Sequence, residues 1–420
     1  MARKISPHDL KARIRSGGEL ALLDLRDEAG FAECHLFHAR NLPLGDLEQQ
    51  FPVLLPRSGV AIAVMDAGRG GEDLAGRGAA ILAGLGYGDV AILDGGVESW
   101  GAAGFELFSG TGVPSKAFGE YVEIHDHTPR LTAAEVKALI DQDADMLILD
   151  SRPYDEYHSM NIPGGIDTPG AELVYRVGDL APNPDTLVVV NCAGRTRSII
   201  GAQSLINAGI PNRVAALENG TMGWHLAGLK LEHGQTRQAP DPSAEGRAKA
   251  QSAAAKVAKR FGVRRIGRET LAEWRADQDR RTLYLFDVRT PDEFAAGHLA
   301  GARSAPGGQL VQATEEYVGV LGARLVLIDD DGVRATMTAS WLLQMGWRDV
   351  VIFHDVRDEP LVREAEADPA QPLTTPDDDE DETAGDPEAV AQAMRDYLTW
   401  ELALVAQIER DGDAGFLRFD

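Results

Sequence analysis

The chain has 420 residues, 44% of them hydrophobic, and a formal net charge of −25 at neutral pH. That length admits two to four domains with sizeable cores, and such acidity argues against nucleic acid as a partner, because phosphates would be repelled. No apolar run approaches the roughly 18 residues of a membrane span, and the N-terminal MARKISPHDLKARI lacks the apolar stretch of a secretory signal.

In chain order, one pattern recurs three times. It opens as LLDLRDEAGFAECHLFHARNLP, returns as LILDSRPYDEYHSMNIPGG, and returns again as LFDVRTPDEFAAGHLAGARSAP. Each time an apolar strand ends in Asp-x-Arg (Asp24/Arg26, Asp150/Arg152, Asp287/Arg289), an aromatic follows, and a turn of small residues or proline closes the stretch. A second apolar strand comes later in each copy: VAIAVMD, TLVVVNC and RLVLIDD. Counting from the first aspartate gives 66−24 = 42, 192−150 = 42 and 329−287 = 42, so Asp66, Cys192 and Asp329 occupy equivalent positions. A helical stretch follows; in the second copy Ile199, Ile200, Ala202, Leu205 and Ile206 recur at helical spacing and Gly209 stops it. Then come a short strand and, in copies one and two, Gly-x-x-x-Trp (Gly96 to Trp100, Gly220 to Trp224).

Strands alternating with helices predict parallel sheets flanked by helices, an α/β architecture. Ligands of such folds bind beyond the carboxyl ends of the strands, where Cys192 falls. The predicted units span 1–118, 122–234 and 261–360, with a linker that becomes an alanine-rich basic helix over 235–260. Residues 361–388 contain the run Asp377, Asp378, Asp379, Glu380, Asp381, Glu382 and read as a solvated, disordered spacer. Residues 389–420 read as a docking helix whose face carries Met394, Tyr397, Leu398, Leu402 and Val405.

Asp-x-Arg, an aromatic, a Gly-His-like turn, a strand–Cys-loop–helix passage and Gly-x-x-x-Trp together resemble the rhodanese family of sulfurtransferases, over about residues 1–360. The resemblance implies tandem rhodanese-like domains. Copy two resembles the catalytic form, with CAGRTRS at the persulfide-forming loop; copies one and three, with aspartate at the cysteine position, resemble the inactive modules.

The chemistry explains the residue types. Sulfur transfer needs a nucleophile that attacks a sulfane sulfur, holds it and releases it, and a low-pKa thiolate does all three. Lowering a thiol from about 8.5 to about 6.5 takes roughly 2.7 kcal/mol, whereas a helix N-terminus supplies typically about 0.3–1 kcal/mol. The remainder is assigned to loop amides from Ala193 through Gly194, Arg195, Thr196 and Arg197 to Ser198, and to the two loop arginines. Arg195 and Arg197 are expected to bind a small anionic sulfur donor. Arg152 has two readings: a structural ion pair, since all three copies carry that arginine, or, as the resemblance implies, a further donor-binding cation.

Cys34 is expected to be a bystander, and His35 and His298 to be structural; Met160 and Asn161 replace Gly-His in copy two. A reducing cytoplasm suits a chain with two cysteines and a reactive thiol. No cofactor is implied, and the histidines form no spaced metal cluster with either cysteine.

The expected activity is transfer of sulfur from a donor such as thiosulfate, through a Cys192 persulfide, to cyanide, a thiol or a protein acceptor. A carrier or scaffold that is persulfidated without turnover is the alternative. A phosphatase is disfavoured: its Cys-x5-Arg loop needs arginine six positions on, where this chain has Ser198.

Overall fold

The computed structural model describes residues 3–68, 70–353, 356, 359–363 and 386–419. Three five-stranded, all-parallel sheets follow one another along the chain. The first orders its strands Arg3–Ile5, Asp89–Leu93, Ala61–Met65, Ala21–Asp24 and Arg40–Asn41. The second runs Arg130–Leu131, Val214–Leu217, Leu187–Asn191, Met146–Asp150 and Ile166–Asp167. The third runs Arg264–Arg265, Val350–Phe353, Arg324–Ile328, Leu283–Asp287 and Arg303–Ser304. In each, the strand leading to the Cys192-equivalent position sits at the centre, and apart from the half-buried first residues Leu187 and Arg324 it is buried, because helices cover both faces. The mixed α/β class, the repeated parallel sheets and the C-terminal helix are therefore as the sequence indicates.

The units are not separate beads. A single cluster of buried side chains includes Leu23 and Val64 of the first sheet, Val190 of the second and Leu327 of the third. Trp341 Nε1–H donates to Ser204 Oγ at 2.8 Å, and Tyr284 O–H donates to the Leu54 carbonyl at 2.5 Å, tying unit three to units two and one. The alanine-rich helix, Ala244–Phe261, buries Ala250, Ala254, Val257 and Phe261 between helices Leu173–Leu180 and Val333–Gln344. Small side chains allow that close three-helix approach.

Three expectations are corrected. Residues Val113–Asp126 form one helix across the boundary drawn between units one and two; Val113, Ala117, Phe118 and Val122 give it a buried face. The C-terminal helix runs Pro387–Asp411 and ends where Gly412 takes a left-handed conformation (φ 72°). Its buried face is Met394, Leu398, Glu401, Leu404 and Ile408, so Leu402, expected inside, is 52% exposed. Of the segment read as disordered, Leu361–Val362 pairs antiparallel with His298–Leu299, and the run Asp377–Glu382 lies outside the described residues. Among the described residues no helix is long and apolar enough to cross a membrane.

Candidate active site

Strand Leu187–Asn191 delivers Cys192 to the carboxyl end of the second sheet, and helix Thr196–Ala208 begins four residues later. The loop between is anchored from behind: Thr221 N–H donates to the Cys192 carbonyl at 2.9 Å and Met222 N–H to the Ala193 carbonyl at 3.0 Å. That approach requires Gly220. Its φ is +54°, and a Cβ there would lie 2.2 Å from the Cys192 carbonyl oxygen. The first unit repeats the device with Gly96, φ +61°, against the Asp66 carbonyl.

The aspartates at the equivalent position show what these loops hold. Asp66 accepts N–H bonds from Gly68 and Ala75 at 3.1 and 3.0 Å; Asp329 accepts them from Gly332 and Ala335 at 2.7 and 3.0 Å. In both units the carboxyl group sits in a cradle of one loop amide and one amide from the first turn of the following helix. Burial, and then Asp331 nearby, push the Asp329 carboxyl up to about 7.

In the second unit the cradle faces sulfur. Cys192 is 1% exposed. Its thiol is raised from the ordinary value, which reverses the expectation of a lowered one. Burial is the dominant cause; Arg197 and the hydroxyl and backbone N–H of Ser198 pull downward, and Glu401 adds a smaller upward push. The helix and loop contributions do not outweigh complete removal from water.

The three arginines differ. Arg152 is buried against Asp150, Nε to Oδ1 at 2.9 Å and an Nη to Oδ2 at 2.9 Å, and donates to the Met160 carbonyl at 2.5 Å. Arg26 with Asp24 and Arg289 with Asp287 repeat that geometry in the units with aspartate at the Cys192 position. The pair fixes the strand end to the following turn, which is the structural reading of Arg152. Arg195 is likewise committed: it donates to both Glu120 oxygens at 2.5 and 2.8 Å, to Glu123, and to Asn219 at 3.1 Å. Burial alone would lower its pKa; these carboxylates raise it instead. Arg197 forms a bidentate pair with Glu156 at 2.5 and 2.8 Å and still lines the cavity at the sulfur. Unit three repeats this pair as Arg334 with Glu293, so Arg197 has a structural share in its role.

The cavity at Cys192 measures about 30 Å³, room for one or two waters. Besides the loop it is lined by Lys116, Met222, Gln312, Tyr397 and Glu401, none of which the repeat comparison singles out. Lys116 comes from the Val113–Asp126 helix, Gln312 from unit three, and Tyr397 and Glu401 from the C-terminal helix. Lys116 Nζ lies 5.0 and 5.1 Å from the Tyr397 and Trp400 ring centroids. Only the helical spacing of Tyr397 and Glu401 with buried Met394 and Leu398 signals them.

Elsewhere, Cys34 Sγ sits 3.9 Å from an Arg26 nitrogen in unit one. His35 bonds the Leu36 and Gly110 carbonyls, His298 the Phe294 carbonyl, and Asn161 donates to the Tyr157 carbonyl. Among the described residues no three His, Cys, Asp or Glu side chains cluster as a metal site would need.

Comparison with known proteins matches this geometry to a family. The model for the rhodanese-like domain matches residues 6–103, 132–227 and 268–355. The crystal structure of a thiosulfate sulfurtransferase from Pseudomonas aeruginosa superposes with a TM-score of 0.89 at 40% identity, covering 100% of both chains. An HTH-type transcriptional regulator of Mycobacterium tuberculosis is 32% identical over 90 residues, which are 21% of this chain and 39% of that protein. With three matched segments making up most of its length, the chain belongs to the rhodanese-like domain family.

Proposed function

We propose that the protein is a sulfurtransferase in which the second unit alone is catalytic, carrying sulfur on Cys192. The observation that supports this best is the shared cradle. In units one and three it holds a carboxylate by two amide bonds each, and in unit two the same backbone presents a sulfur. Amides that donate to a carboxyl group there are placed to donate to a thiolate or a persulfide, offsetting part of the cost of burying its charge.

In the first half-reaction, Cys192 loses its proton and its sulfur attacks the outer sulfur of a donor such as thiosulfate. The donor's S–S bond breaks, sulfite leaves with the electron pair, and Cys192 carries a persulfide. Cyanide or a thiol then attacks the outer persulfide sulfur and the thiolate departs. The Ser198 N–H and hydroxyl and the Arg197 charge favour the anionic sulfur throughout. Arg197 and Lys116 line the cavity and lend it positive charge for an anionic donor, whereas Arg195, which also lines it, and Arg152 are positioning residues. The likeness to the Pseudomonas aeruginosa enzyme makes thiosulfate the first donor to test.

The test is thiosulfate-dependent production of thiocyanate from cyanide. Wild type is expected to turn over with ping-pong kinetics, and Cys192→Ala to lose activity entirely. Equal rates in the two proteins contradict the proposal. A single sulfur transfer without cycling favours a carrier instead.

A further inference from the structure

Glu401 has no role in the mechanism so far and an unusual position for a carboxyl group. It comes from the C-terminal helix, is 0% exposed, and faces the sulfur cavity. Thr196, in the first turn of the helix behind the loop, donates its hydroxyl to Glu401 Oε1 at 2.7 Å. The other oxygen, Oε2, is buried without a hydrogen-bond partner. A Cβ placed on Gly194 would lie 3.6 Å from Oε2, so this oxygen overhangs the loop two residues from Cys192.

A side chain that only anchored the helix on Thr196 would do so as well with an amide. Burying a carboxyl with one oxygen unbonded is costly. The arrangement makes sense if a ligand completes it, and the ligand of this cavity is an anion.

We propose that Glu401 is a specificity-determining residue of the sulfur-transfer site: protonated, its Oε2–H donates a hydrogen bond to the donor anion or persulfide over Cys192, and ionised it excludes that anion. This inference rests on the sulfurtransferase reading for the identity of the anion.

The surroundings set the balance between the two forms. Helix Val113–Asp126 presents Lys116 and Glu120, the loop presents Cys192, Arg195 and Arg197, the C-terminal helix itself adds Tyr397, and unit three contributes the uncharged Gln312. Burial, the largest influence, and Glu120 favour the neutral acid; the Thr196 hydroxyl, Lys116 and Arg195 favour the carboxylate. The outcome is a carboxyl pushed up to about 7, so it changes form near neutral pH. A second negative charge in one buried cavity is disfavoured, so an arriving anion selects the protonated acid.

The experiment compares wild type with Glu401→Gln, which keeps the volume and the acceptor for Thr196 and puts a permanent N–H donor at the other position. Thiosulfate-to-cyanide kcat/KM is measured from about pH 6 to about pH 9 and divided in each protein by the thiolate fraction of Cys192, titrated separately because Glu401 also raises that thiol; the corrected values are compared as the ratio of variant to wild type. The expected ratio is near one at the acidic end and rises by about tenfold per pH unit above neutrality. Glu401→Asp should restore a falling alkaline limb.

A second arm needs no sulfur donor: alkylation of Cys192 by iodoacetate relative to iodoacetamide. In wild type the anionic reagent should lose ground as pH rises through neutrality, and in Glu401→Gln the selectivity should stay constant. A pH-independent selectivity in wild type, or the same pH dependence in both proteins, overturns the inference. If neither protein transfers sulfur from any donor, the sulfurtransferase reading fails, while the alkylation arm still decides the role of Glu401.

Discussion

Arg152 shows how a residue's chemistry depends on what already holds it. Its Nε and one Nη are held by Asp150 and a carbonyl, as in the two units with aspartate at the Cys192 position. Arg152→Met strands the buried Asp150 and is expected to cost on the order of 3–5 kcal/mol of stability in denaturant unfolding. A variant of unchanged stability and raised donor KM would return Arg152 to the binding site. Glu401 makes the complementary case for pH. Its carboxyl is raised on folding, so the native state binds its proton more tightly than the unfolded chain. Its contribution is therefore fully present below the ordinary carboxyl value, is lost as pH rises toward about 7, and stays lost above. Thermal melts should show Glu401→Gln gaining stability over wild type at pH about 8 and little at pH about 5; a gain confined to acid contradicts the shift. Cys192 was legible from its spacing and its glycine- and arginine-rich loop. Its raised thiol was not, because burial depends on a helix two hundred residues away in sequence.

Among the elements, the turn ending at Gly220 and the C-terminal helix position the sulfur. Gly220→Ala meets both a left-handed backbone and the Cys192 carbonyl, so it should displace the loop and abolish transfer. Gly228→Ala, with φ +71° and nothing within 4 Å, should cost only about 1 kcal/mol and leave the rate intact. Equal effects of the two on transfer would separate the turn from catalysis. The repeat made the strands readable: each unit repeats the same buried runs and the same Asp-x-Arg terminus. The Val113–Asp126 helix stayed hidden because it lies where two repeats meet and belongs to neither pattern. Leu402 was misplaced for a related reason. The true stripe steps from Leu398 to Glu401 to Leu404, and an apolar-only search passes over a buried glutamate.

For the molecule as a whole, the units carrying Asp66 and Asp329 share one buried core with the unit carrying Cys192. Unit three places Gln312 at the sulfur cavity and locks onto unit two through Arg334 with Glu172 at 3.1 Å and Trp341 with Ser204. Since one buried cluster runs through all three sheets, calorimetry should record a single cooperative transition; separate transitions for the units would contradict that shared core.

The central claim, that Cys192 carries sulfur, is tested most directly by mass spectrometry of its peptide after incubation with thiosulfate and no acceptor. A gain of one sulfur atom on that peptide, removed by cyanide as thiocyanate, is the predicted result. A Cys192 peptide of unchanged mass, in protein that nonetheless produces thiocyanate, would contradict it.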